Sequence, residues 1–207
     1  MQTKAYRFES LGPTHRKVVE LVGRDAKVLE VGCAAGHMTQ VLREQLRCEV
    51  TAVEVNSEEA AQAKPYAERL IVGDIEEPEI WEQVGGPFDC AIFADVLEHL
   101  IDPWEVLRRT RNVLAEDGCV VASIPNVAYY KMRKELLLGR FDYSDYGILD
   151  DTHLRFFTAR SARALFTESG YDVESFRRTF RGRTDRRLWW LCPNAFTYQF
   201  VVRAVAR

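Results

Sequence analysis

Lys27-Val-Leu-Glu-Val-Gly-Cys-Ala-Ala-Gly-His37 decides how the rest of this 207-residue chain is read. It opens with a short apolar run that reads as a buried strand, and Gly32 and Gly36 bound a tight loop after it. A helical run over 38–46 follows at once. Strand, glycine loop and helix in that order begin a nucleotide-binding α/β fold. Gly32 permits a sharp turn, and Gly36 is expected to let the helix pack closely on the strand.

The dinucleotide fingerprint requires glycines spaced G-x-G-x-x-G, with a pyrophosphate at the helix N-terminus. Here Ala34 or Ala35 stands for the middle glycine, and Glu30 lies two places before Gly32. A carboxylate there repels a pyrophosphate and suits a cationic amine. S-adenosylmethionine (SAM) carries an ammonium and a sulfonium and no phosphate. The loop alone leaves the choice between these ligands open.

Composition is that of a globular protein, with 47% apolar and 29% charged residues. Cys33, Cys48, Cys90, Cys119 and Cys192 form no C-x-x-C pair, which points to reduced thiols in a cytoplasmic protein. The amino terminus lacks the apolar core of a signal peptide, and no run is long enough for a membrane span. Net charge is −3, but from Tyr171 onward eight arginines face only Asp172, Glu174 and Asp185, a net of +5. The preceding residues therefore carry −8.

Beyond an irregular first dozen residues with Tyr6 and Phe8, helices are expected over 13–22, 57–67 with Ser57 as N-cap, 78–84, and 102–114. Strands are expected over 48–55, 69–73, 88–94 and 119–124. Alternation at this spacing implies right-handed crossovers and a mostly parallel sheet, with helices on both faces. Residues 126–139 read helical, 140–153 turn-rich, and 161–169 helical. Strand-like runs over 171–180 and 196–205 read as an antiparallel edge hairpin with a long loop. The whole reads as a single domain over 1–207, with an insertion near 126–153 that covers a substrate.

Ligands bind beyond the carboxyl ends of strands in such sheets. Glu30, Glu54, Asp74 and Asp95 stand at or near those ends. Glu54 suits ribose hydroxyls, Asp74 the adenine amino group with Ile75 beside the ring, and Glu30 the amino acid end. The run Val28–Gly36, Val53-Glu54, Gly73-Asp74, Phe88-Asp89 and Asp95-Val-Leu-Glu-His-Leu100 resembles class I SAM-dependent methyltransferases, among them the type 11/12 small-molecule group. The likeness covers residues 25–176, and Ala34-Ala35 depart from the glycine of many members. It implies a Rossmann-like, seven-stranded, mostly parallel sheet with an antiparallel edge strand. It also implies Glu30, Gly32 and Gly36 at the methionine side, Glu54 at ribose, Asp74 and Ile75 at adenine, and Ala94, Asp95 and Val96 near the methyl donor. Cys33, Ala34, His37 and Val55 complete the expected cofactor site.

Methyl transfer is an in-line displacement in which orienting the reactants supplies much of the rate and a base adds to it. Among the histidines, His15 and His99 read as packing or surface residues, and His37 as a cofactor contact or helix cap. His153, from the covering insertion, is the candidate base, with Asp151 to orient it. Tyr143, Tyr146 and Arg155 are candidate acceptor contacts. Asp95-Val-Leu-Glu98-His99 also resembles the E-x-x-E-H metal ligands of small-RNA 2′-O-methyltransferases and the ubiquinone-pathway O-methyltransferase, with His153 as a further candidate ligand. The expected site nevertheless holds no metal. Arg177, Arg178, Arg181, Arg183, Arg186 and Arg187, with Trp189-Trp190, read as a solvated face, an anion site, a homodimer contact or, against the net acidic charge, a surface that stacks on nucleic acid bases. The reading favours a methyltransferase acting on an oxygen, less readily a nitrogen, of a small anionic metabolite such as a sugar or natural-product intermediate. An RNA methyltransferase and a non-catalytic partner subunit are the alternatives.

Overall fold

In the computed structural model, which describes residues 7–207, helices and strands alternate from the start. They are α1 (Pro13–Val22), β1 (Lys27–Val31), α2 (His37–Leu46), β2 (Glu49–Glu54), α3 (Ser57–Ala63), β3 (Arg69–Val72), α4 (Pro78–Val84), β4 (Phe88–Ala94), α5 (Pro103–Arg111) and β5 (Leu114–Pro125). Then come α6 (Tyr130–Leu137), α7 (Ala159–Glu168), β6 (Tyr171–Thr179), α8 (Arg183–Leu188), α9 (Pro193–Phe196) and β7 (Gln199–Ala206). Phe8–Ser10 form a 3-10 turn, and the expectation for residues 1–6, Tyr6 included, lies outside the described residues.

The strands form one sheet in the order β3-β2-β1-β4-β5-β7-β6. β1 to β5 run parallel, and β7 runs antiparallel to both its neighbours, with β6 outside it. Parallel strands are covered on both faces, so they read as nearly continuous apolar runs. One face buries Leu29, Phe93, Leu107 and Phe166 against α4, α5 and α7. The other buries Val28, Ile92 and Val121 against Val18 and Val19 of α1 and Leu42 of α2. This packing brings the carboxyl ends of β1 to β4 to a common edge.

Several boundaries differ from expectation for local reasons. Asn56, not Ser57, caps α3, its side chain accepting from the Glu58 and Glu59 amides at 2.9 and 3.2 Å. α3 stops at Ala63 rather than 67, where Pro65 has no amide hydrogen to continue the ladder. β5 begins at Leu114, which pairs with Phe88 before a register shift sets Cys119 beside Cys90. Asn126 is not helical: its buried side chain donates to the Asn194 and Thr197 carbonyls at 2.8 and 2.7 Å, tying the segment before α6 to α9. The connection expected as a long loop contains α8 and α9. Among the described residues, no helix is long and apolar enough to cross a membrane.

Candidate active site

The ends of β1 to β4 open into a cleft of about 730 Å³. Gly32, Glu54, Val55, Asp74, Ile75, Asp95 and Val96, all expected there, line it. So do Asn56, Glu59, Glu76, His99, Leu100 and Thr152, which the sequence reading did not place in it. Five carboxylates and no lysine or arginine form this lining, which disfavours a pyrophosphate and favours a cation. Val55 is left 68% exposed, an apolar face available to a ring.

The glycine loop is held by the acid of the next strand. Glu54 accepts from the Ala34 amide at 2.8 Å with one oxygen and from the Asn56 amide at 2.9 Å with the other. Each oxygen keeps a second acceptor position for a ligand hydroxyl. The bond helps hold Ala34 at a left-handed φ of 47°, a conformation that costs a non-glycine residue about 1–3 kcal/mol. Gly36, at φ 79°, is required for a reason other than the one expected. A Cβ there would lie 2.6 Å from the Ala63 Cα, so it admits α3 rather than the strand. Asp74 turns onto the Glu76 amide at 2.9 Å, and Trp81 donates to the Ile75 carbonyl at 2.8 Å, which fixes the β3 end of the cleft.

Other expected cofactor residues do not line the cleft. Glu30 is buried within β1; Thr39 donates to one carboxyl oxygen at 2.7 Å, and the other has no partner. Desolvation pushes its pKa up to about 7. Cys33 is buried, and desolvation raises its thiol pKa. Ala34 is exposed, Gly36 buried beside α3, His37 exposed at the first position of α2, and Ala94 half-buried.

Asp95, at a left-handed φ of 57° just beyond β4, is a junction. Its Oδ1 accepts from Ser123 Oγ at 2.7 Å and Gln199 Nε2 at 2.8 Å, and its Oδ2 lies 3.1 Å from His15 Nε2. His15 is therefore no mere surface or packing residue. The Asp95 hydrogen bond raises its pKa, against the opposing effect of burial.

Beside the cleft, and sharing Asp95 and His99 with it, is a cavity of about 220 Å³. Glu98, Asp150, His153, Tyr198 and Gln199 line its other sides. Glu98 is buried with neither carboxyl oxygen hydrogen-bonded, and desolvation holds its pKa well above the usual carboxylate range. His153 sets Nδ1 on the Ile148 carbonyl at 3.1 Å and Nε2 4.0 Å from Glu98 Oε1. His99 lies edge-on to it at 4.7 Å, with Nδ1 3.3 Å from the Thr152 carbonyl. Burial, then the neighbouring His153, lowers the His99 pKa.

One ligand atom from each of Glu98, His99 and His153 falls within 4.8 Å of the others. An orphaned buried carboxylate and two imidazoles braced by backbone carbonyls fit a divalent cation, because ligating imidazoles characteristically donate their second N–H in this way. Asp95 has both oxygens engaged elsewhere, so the expected four-ligand phrase reduces to three.

The four residues expected on the acceptor side do not line the cavity that holds His153. Asp151 is exposed and does not orient His153; the Ile148 carbonyl does, because the turn at 148–153 directs Asp151 outward. Arg155 bonds to the Ile101 carbonyl and lies over Trp104 at 5.9 Å, outside the cavity. Tyr143 packs on Phe141 and Phe156, while Tyr146 lines a separate neighbouring cavity. The arginine run is divided: Arg177 pairs with Glu20 at 3.1 Å and Arg181 lies over Tyr198 at 5.5 Å. Arg183, Arg186, Arg187, Trp189 and Trp190 are exposed.

Residues 4–175 match the family described as Methyltransferase domain. A ubiquinone biosynthesis O-methyltransferase of Caulobacter sp. (strain K31) is 29% identical over 104 residues, 48% of this chain and 41% of that protein. Another from Psychrobacter arcticus is 27% identical over 117 residues, 53% of this chain and 45% of that one. The matches thus span less than half the length of these curated relatives. A SAM-dependent methyltransferase structure from Methanosarcina mazei has a TM-score of 0.66 at 17% identity, covering 95% of this chain and 98% of that one. With the strand order, the glycine loop and the acidic cleft, the family match places the chain among the class I SAM-dependent methyltransferases.

Proposed function

We propose that the protein transfers the methyl group of SAM to a hydroxyl oxygen of a small acceptor whose hydroxyl end enters the cavity beside the cleft. The observation that carries this reading is the Glu98–His99–His153 group at the boundary between cleft and cavity, with Glu98 and His153 buried. A cavity of about 220 Å³ suits a small molecule, and the O-methyltransferase names of the curated relatives support oxygen as the acceptor atom.

SAM supplies an electrophilic methyl group on a sulfonium. Glu54 and Asp74 offer acceptors for ribose and adenine, and Gly32 leaves the β1 end bare. As the oxygen–methyl bond forms and the methyl–sulfur bond breaks, the hydroxyl proton must leave. The Ile148 carbonyl holds the His153 tautomer with hydrogen on Nδ1, so Nε2 presents a lone pair to take that proton. His153→Ala is expected to lower turnover by roughly 10²–10⁴-fold while leaving SAM affinity nearly unchanged. Equal turnover, measured as S-adenosylhomocysteine (SAH) release, removes His153 from the mechanism.

The same three side chains favour a second reading. Glu98, His99 and His153 would hold a divalent cation, which acidifies a coordinated hydroxyl. Exhaustive chelation separates the two: activity that survives with no bound metal leaves His153 as base. Loss reversed by a divalent cation, together with metal binding weakened in Glu98→Gln, makes these residues ligands.

A further inference from the structure

A third cavity, about 210 Å³ in volume, adjoins the acceptor cavity, and Gly147 and Tyr198 line both. It takes no part in the chemistry above. Tyr129, Tyr146 and Tyr198 contribute to its walls, and Lys131 and Arg181 are its cations. Neither cation has an acidic partner within 4.0 Å among the described residues, and Asp142, the one acid on the wall, pairs with neither. The cavity is braced from behind. Buried Asp185 accepts from Tyr129 Oη at 2.8 Å and from the Arg181 amide at 3.2 Å, so α8 fixes both walls at once. The Arg181 guanidinium lies at 5.5 Å over the ring of Tyr198, which also lines the acceptor cavity.

We propose that this cavity is the oxyanion subsite of the acceptor: Lys131 and Arg181 hold a phosphate or carboxylate on a molecule whose hydroxyl end lies beside His153. It rests on the reading that the inner cavity receives the acceptor. The acidic cleft and the unpartnered cations then divide the work, a cationic donor in one and an anionic acceptor in the other. A guanidinium fork and an ammonium recognise either oxyanion, the fork with bidentate geometry.

The test uses the SAH-loaded protein, titrated calorimetrically at low salt with inorganic pyrophosphate and, separately, malonate. Wild type is compared with the Lys131→Ala/Arg181→Ala double variant and with Arg187→Ala, which removes an exposed arginine that does not line the cavity. One of the two anions is expected to bind wild type and Arg187→Ala saturably, and the double variant at least tenfold more weakly, with SAH affinity equal in all three. Pyrophosphate binding assigns a phosphate, malonate binding a carboxylate. Binding of neither anion to wild type, an undiminished affinity in the double variant, or an equal loss in Arg187→Ala overturns the proposal. Intact anion binding without methyl transfer to any hydroxyl acceptor would sink the functional reading and leave the subsite standing.

Discussion

Replacing Glu30 by glutamine perturbs the most costly ionisable group in the first strand. The carboxyl is buried, with one oxygen on Thr39 and the other unpartnered, and its pKa is raised from 4.5 to about 7. Between those values the folded protein retains a proton that the unfolded chain has lost. Wild-type stability therefore falls as pH rises through this window and levels off above it. Such a shift corresponds to roughly 3 kcal/mol at full extent, of which roughly 2–3 falls between pH 5 and 8. Glutamine keeps the shape but does not titrate, and its own hydrogen-bonding cost is the same at both pH values. Urea unfolding of both proteins at pH 5, 6.5 and 8 isolates the effect as the change in their stability difference. A difference that stays within about 0.5 kcal/mol across the range would refute the claim of an unpaired buried carboxyl. If the ammonium of SAM comes near Glu30, as expected from the sequence, binding near pH 6.5 should release protons. Calorimetry in buffers of different ionisation enthalpy reads that release, and Glu30→Gln should abolish it.

Gly36→Ala should cost more stability than Gly32→Ala. The added methyl meets the Ala63 backbone at 2.6 Å in the first case, but a Val96 side-chain methyl at 2.6 Å in the second, where the side chain can turn. Both pay left-handed strain of about 1–3 kcal/mol, and denaturant unfolding ranks them; the reverse order would contradict the packing of α3 on the loop. For His15, whose pKa is raised by Asp95, the stabilising charged contact is complete below pH 6.5 and is lost as pH rises through the raised value. His15→Gln should therefore lose stability relative to wild type at pH 6 and match it near pH 9. A deficit that does not change with pH would mean that the contact contributes nothing electrostatic.

What was legible before the fold was known follows local rules. Pro13, Pro78 and Pro103 start α1, α4 and α5 because the first helical position needs no amide hydrogen. The apolar run 88–94 is β4. Glu54, Asp74 and Asp95 reach the cleft because a parallel sheet collects its strand ends on one edge. The placements that spacing did not foresee share another cause. Glu30 lies next to Val31 in the chain, yet only Val31 lines the cleft, while the Glu30 carboxyl is buried and accepts from Thr39 of α2. Arg155 and Asp151 flank His153 closely, but the turn that buries the histidine sends both of them elsewhere.

The sequence by itself determined the alternation of strands and helices as far as β5, the glycine loop and the acidic residues at the strand ends. These depend on residue type and short spacing, which the chain carries locally. Only the tertiary structure decided that His15 meets Asp95 across 80 positions, that Gln199 of the last strand holds the same carboxylate, and that Glu98 is buried with no hydrogen bond to its carboxyl. Such contacts arise when packed layers bring distant segments to one edge of the sheet, and no spacing along the chain encodes which side chains will then face each other.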